Sequence, residues 1–351
     1  MIDVTQSPAL EIAIEGSLSR IRERAAELGP AFGALGEAIA GAARGGKRFR
    51  PALVAASFDA FDAPDRHAAA VLSVATAFEL LHAAFVVHDD VIDHDLVRRG
   101  VPNVAGRFRL RGRQLGADAD GAAQLGDAAA ILAGDLLLHE AVRLVAMADV
   151  DADVRERLLT LLDDAVFVSA AGELADVENS VAPDCAPVEQ VFDAAFNKTA
   201  VYSFRAPLQA GAVLGGASPE AIVLLGHAGG RLGLAFQLVD DLIGAFGSPE
   251  QAGRESGGDL REAKRTPLVA LARESADATR LDATLALART GPVAVRDARR
   301  ALDASGARGR LRDMITDTLS EVRATSRGDD LTPAAGELLR EIADGIEGRI
   351  P

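Results

Sequence analysis

The chain has 351 residues, 49% of them hydrophobic and only 4% aromatic, with a formal net charge of −15. That charge argues against a nucleic acid or an anionic membrane surface as partner. A polyanionic ligand would have to be met by metal ions and a few local Lys and Arg, because the overall field repels it. The length allows a large buried core, and the dominance of Ala and Leu with short β-branched runs predicts an all-α protein.

Cys185 is the only cysteine, which excludes an internal disulfide and fits a reducing cytoplasm. Residues 1–6 lack the basic and apolar regions of a signal peptide. Ala68 to Val87 is nearly long enough to span a bilayer. Glu79 and His82 interrupt it, so it reads as a buried core helix and no transmembrane segment is expected.

Residues 10–43 alternate apolar and charged positions at helical spacing and predict one or two amphipathic helices. Gly45-Gly46-Lys47-Arg48-Phe49-Arg50-Pro51 follows, a glycine turn with three cations before a proline-initiated helix. It is either an anion site or a capped turn with solvated cations. An apolar helix from about Arg66 then runs into an acidic cluster, followed by Arg98-Arg99-Gly100. Residues 112–127, rich in Gly, Ala and Asp, read as a mobile surface loop. Helices are expected over Gly126 to Met147 and Val154 to Val177, with a loop from Asn179 to Pro187.

Phe192 to Leu214 reads as a helix carrying Lys198-Thr199. A lysine there either needs a buried partner or snorkels outward. A second long apolar helix spans Glu220 to Phe246. Gly247 to Gly258 is a candidate lid, closed by Asp259-Leu260-Arg261-Glu262-Ala263-Lys264. Amphipathic helices fill the remainder, residues 271–351. No domain boundary is visible, so residues 1–351 read as one domain whose chemistry lies within about 40–270.

Two stretches share one grammar. Phe85-Val86-Val87-His88-Asp89-Asp90-Val91-Ile92-Asp93 and Phe236-Gln237-Leu238-Val239-Asp240-Asp241-Leu242-Ile243-Gly244 each place Phe four residues before an Asp-Asp pair. Asp89 and Asp93, four apart, share a helix face. Bare carboxylates so placed repel, and all-oxygen ligands favour a hard cation such as Mg2+. Two such helices could face each other and hold metal ions at the mouth of an apolar tunnel. That would suit a molecule with a diphosphate head and a hydrocarbon tail.

The ordered set Gly-Gly-Lys-x-x-Arg-Pro, His-Asp-Asp-x-x-Asp, Arg-Arg-Gly, Lys-Thr, Phe-Gln-x-x-Asp-Asp and Asp-Leu-Arg-Glu-x-Lys resembles the trans-isoprenyl diphosphate synthases, the polyprenyl synthetase family. The resemblance implies a single-domain bundle of about a dozen antiparallel helices around a central cavity, as a homodimer. It implies that Lys47, Arg50, His82 and Arg99 hold isopentenyl diphosphate. Arg98, Lys198, Arg254 and Lys264 would grip an allylic diphosphate, and Asp89, Asp93 and Asp240 would bind about three Mg2+ ions. Thr199 and Gln237 would direct oxygen dipoles at the allylic carbon.

The chain departs from the family pattern at three positions. Gly244 stands where the second motif usually ends in Asp, Arg254 replaces a lid lysine, and Ala263 replaces a glycine. Phe85 is bulky and Ala84 small, a mixed floor that suggests a geranylgeranyl product, with farnesyl or longer chains as alternatives. A terpene cyclase would not need the basic set, and a metal phosphohydrolase using His82, His88 and Asp89 would leave the second acidic helix without a task. Gly244 keeps a third reading open, a low-activity partner subunit.

Overall fold

A computed structural model describes residues 8–61, 67–252, 257–275 and 278–351. They are mostly helical, and the strands among them form one two-residue-per-strand hairpin, β1 (Val97–Arg98) with β2 (Val101–Pro102). The described residues fall into two compact units, one of residues up to 160 with Val213–Gly215, the other of Leu161–Ala212 and Gly216–Pro351.

The N-terminal unit is built around α4 (Ala68–Ile92). The amphipathic stretch near the start forms two helices, α1 (Pro8–Glu27) and α2 (Pro30–Ala43), with Pro30 opening the second where its missing N–H costs nothing. These pack on α4, as do α3 (Phe49–Asp59) and α6 (Ala119–Ala146), and α5 (Val104–Gln114) lies on α6. Enclosure on several sides explains why α4 is apolar nearly all round. Its Phe78, Leu80 and Leu81 are fully buried.

The expected loop at 112–127 is mostly helix, a correction with a clear cause. Asp118 caps α6, its carboxylate accepting from the Gly121 N–H at 2.8 Å. That cap starts the helix before the Ala-rich run, leaving a turn of only a few residues after Gln114. Likewise α7 (Ala152–Val181) extends through the start of the segment read as a loop.

In the C-terminal unit, α10 (Pro219–Phe246) is the central element, capped by Ser218 with Pro219 at its first position. The stretch read as one helix is three segments: α8 (Val188–Ala195), a π-helix (Phe196–Arg205) and α9 (Ala206–Leu214). The expected loop after Phe246 contains a short helix, α11 (Pro249–Ala252). After α12 (Gly258–Arg261) come α13 (Pro267–Ser275), α14 (Ala278–Leu287), α15 (Pro292–Ala304), α16 (Ala307–Thr325) and α17 (Pro333–Glu347). The π-helix, α12, α13, α16 and α17 all pack on α10. Both α4 and α10 have the length and hydropathy of a membrane span, and both are mostly buried by these neighbours.

Candidate active site

In the N-terminal unit the glycine turn is pinned by a residue that sequence reasoning passed over. Arg48, only 5% exposed, has φ 48° and is held by Glu79 and Glu11, each at 2.7 Å. A carboxylate inside an apolar helix needs a cation, so Glu79 was the available signal. Anchoring Arg48 sets its neighbours on the turn: Lys47 is exposed and Arg50 half-buried.

The hairpin turns through Arg99 and Gly100, both at positive φ, as a two-residue type I′ turn requires. Arg98 pairs with Asp90 at 2.6 Å and reaches Asp89 at 3.7 Å. Arg99 lies against Gly45 and Gly46 and donates to the Arg44 carbonyl at 3.5 Å. His82 on α4 feels this cluster. Burial, then the charges of Arg50, Arg98, Arg99 and Arg48, push its imidazole well below the ordinary value. Burial also pushes the Asp90 carboxyl up, opposed by its hydrogen bond from Arg98.

The neutral His82 has a measurable consequence. In the unfolded chain it takes up a proton below about pH 6.5, and in the folded chain only at a lower pH. The stability this contributes is complete above that pH and is lost as the pH falls below it. Tm is therefore expected to drop more steeply from pH 7 to 5 in the parent than in His82→Gln. Parallel slopes would contradict the assignment.

At the end of α4, the Asp93 N–H donates to the Asp89 carbonyl at 2.8 Å, continuing the last turn. Asp89 is half-buried and Asp93 exposed. The two carboxylates therefore share a face as expected. His88 turns to α6 instead, 3.3 Å from the Ile131 carbonyl and 3.4 Å from Asp135, and it fills the space beside Gly134. His94, at φ 59°, sits in the turn after the helix. Phe85 lies one turn before Asp89 and is half-buried, with Leu81 and Phe78 following on the same stripe. Ala84 is wholly buried in the packing of the helix.

In the C-terminal unit the π-helix carries Lys198 and Thr199. Such segments are rare and concentrate at functional sites. It lies very close to its neighbours. A Cβ at Gly172 of α7 would overlap the Lys198 backbone nitrogen, and one at Gly233 of α10 would come within 2.5 Å of the Ala200 Cα. Backbone cannot yield as a side chain can. Gly172→Ala is expected to cost about 3 kcal/mol, the upper end for overpacking, measured by denaturant unfolding.

Lys198 does not snorkel free. Its ammonium donates to Asp176 at 2.9 Å and to Glu173 at 3.1 Å, both on α7. Thr199 donates to Gln237 Oε1 at 3.0 Å, and Gln237 Nε2 donates to Asp241 Oδ1 at 2.9 Å. This chain fixes the rotamers of both expected catalytic side chains. Asp241 is 6% exposed; burial, then the Asp259 carboxylate, push it well up. Asp240 is half-buried and ion-paired with Arg349, whose guanidinium also lies 4.4 Å over the Phe236 ring.

Gly244 has a local reason. A Cβ there would overlap the Asp259 carboxylate, so that carboxylate occupies the space where a side chain at 244 would begin. Ala263 holds φ 57°, a left-handed conformation that glycine adopts more readily. Lys264 is exposed and pairs with Glu262 at 3.2 Å. Arg254 lies outside the described residues.

Among the described residues no group of three or more His, Cys, Asp or Glu could hold a metal by itself. Asp89 and Asp93, a turn apart at the end of α4, suit a different kind of ion. Mg2+ takes one or two carboxylates and completes its shell with water and phosphate oxygens. The donor set fits it.

A family model described as polyprenyl synthetase matches residues 34–304, well over half the chain. The chain is 33% identical over 232 residues to the short chain isoprenyl diphosphate synthase of Methanothermobacter thermautotrophicus, covering 66% of this chain and 64% of that one. It thus spans just under two thirds of that relative. It is 32% identical over 285 residues to the nonaprenyl diphosphate synthase of Mycobacterium tuberculosis, covering 80% and 76%. The geranylgeranyl pyrophosphate synthase of Corynebacterium glutamicum, solved with isoprenyl diphosphate and magnesium, superposes with a TM-score of 0.86 at 27% identity, covering 97% of each chain. The fold is the all-α isoprenoid synthase fold, and the chain belongs to the polyprenyl synthetase family.

Proposed function

We propose that the protein is a Mg2+-dependent prenyltransferase that condenses isopentenyl diphosphate with an allylic diphosphate. The observation that carries this reading is the gathering of Arg50, His82, Arg98 and Arg99 around the helix that ends in Asp89 and Asp93. In this reading Lys47, Arg50, neutral His82 and Arg99 hold the diphosphate of isopentenyl diphosphate and orient its double bond. Arg98, Lys198, Arg254 and Lys264 bind the allylic diphosphate. Asp89, Asp93 and Asp240 would hold Mg2+, about three ions in all, which when bound would supply positive charge against the departing diphosphate. Oxygen dipoles of Thr199 and Gln237, locked by the bond to Asp241, face the allylic cation and keep it from water. The proton lost after bond formation goes to the released pyrophosphate.

Residues 1–351 act as one catalytic domain in this proposal, since α7 and α9 each contribute residues to both compact units. The low cysteine content supports a cytoplasmic setting. A homodimer is supported by Ile131 and Leu132 of α6, apolar yet 47% and 51% exposed. Sedimentation equilibrium should give twice the monomer mass, and a monomer at micromolar concentration would count against it.

The twenty-carbon geranylgeranyl diphosphate is the product we favour, with farnesyl and longer chains as the alternatives. The relatives named above span short-chain to nine-prenyl products, so the floor residue carries this choice. Phe85→Ala is expected to lengthen the product by at least one five-carbon unit. Unchanged length in a product analysis would remove Phe85 from the floor.

A further inference from the structure

Asp240 is the only proposed metal ligand of the C-terminal unit, and it is already engaged by a cation. Arg349, two residues past α17, bonds Asp240 Oδ1 through Nη2 and is held in place by the face of Phe236, 4.4 Å away. Its other terminal nitrogen, Nη1, is buried and has no hydrogen-bond acceptor among the described residues. A buried guanidinium donor without an acceptor is costly. A second anion beside Asp240 would satisfy it.

We propose that Arg349 is a further substrate-binding residue, one that exchanges partners when metal arrives. Without metal it neutralises Asp240. When Mg2+ takes that carboxylate, the guanidinium is released from it and donates, through Nη1 first, to a diphosphate oxygen. The planar fork suits phosphate oxygens, and the ring of Phe236 keeps it at the site in both states. The exchange also predicts competition: metal and Arg349 seek the same oxygen, so Arg349 weakens metal binding when no diphosphate is present.

The inference rests on the proposed function but is tested apart from turnover. Mn2+ alone would be titrated into Arg349→Gln by electron paramagnetic resonance, and inorganic pyrophosphate in saturating Mg2+ by calorimetry. Loss of the competing cation is expected to tighten Mn2+ severalfold, while loss of the donor weakens pyrophosphate about tenfold. Arg349→Lys, which keeps the charge without the fork, should stay near the parent for Mn2+ and fall between the two for pyrophosphate. A residue that only braces the fold would move both affinities the same way or neither, and either result overturns the proposal. If Arg349→Gln does not fold, the lysine variant decides, and parent-like pyrophosphate affinity there overturns it. Absence of prenyl transfer by the parent would instead refute the proposed function, whatever the two titrations give.

Discussion

Asp89→Asn is expected to lose at least about a thousandfold in kcat/KM for prenyl transfer, equivalent to about 4 kcal/mol of transition-state stabilisation. The substitution is nearly isosteric and replaces an anionic ligand by a neutral amide that binds Mg2+ poorly. Arg98 is 3.7 Å from Asp89 but has its closer contact with Asp90 at 2.6 Å, and that pair survives. Removing one of two like charges a turn apart even relieves a small repulsion. Tm should therefore stay within a few degrees of the parent while steady-state turnover collapses. A loss of threefold or less would remove Asp89 from the metal site.

Gly244→Asp restores the residue usual at the end of the second acidic motif, and it is expected to damage this chain. The incoming Cβ meets the Asp259 carboxylate, which is itself nearly buried at 9% exposure. The added charge then joins Asp240, Asp241 and Asp259 in a poorly hydrated place. Steric displacement and a buried like charge together should cost on the order of 3–5 kcal/mol. Thermal unfolding should shift down by several degrees or more. Gly244→Asp combined with Asp259→Gly empties the space and removes the opposing charge, so it should recover much of the loss. A Gly244→Asp protein as stable as the parent would contradict the position of Asp259.

The residues most legible in the sequence were those whose role is local. The apolar run ending at Asp89 and the one ending at Asp240 are long, and α4 and α10 follow them closely. The stretch at 112–127 was misread because Gly and Asp count as loop formers in composition, whereas Asp118 acts as a cap. The π-helix was not legible, because one extra residue per turn scarcely alters an apolar pattern. Its trace is the set of glycines, Gly172 and Gly233, that let neighbouring helices approach it. Long-range partners were hidden for another reason. For Lys198 the sequence left a buried partner and outward snorkelling both open, and only the fold brings Glu173 and Asp176 to it. Arg349 gave no sign at all, lying 109 residues from the carboxylate it pairs with.

The most direct test of the central claim is product analysis. Purified protein would be incubated with Mg2+, labelled isopentenyl diphosphate and, separately, the five-, ten- and fifteen-carbon allylic diphosphates. The account predicts elongation from at least one starter to a discrete prenyl diphosphate, of twenty carbons if Phe85 is the floor. No elongated product from any starter, with folded protein and saturating metal, would contradict it and leave the low-activity partner subunit as the better reading.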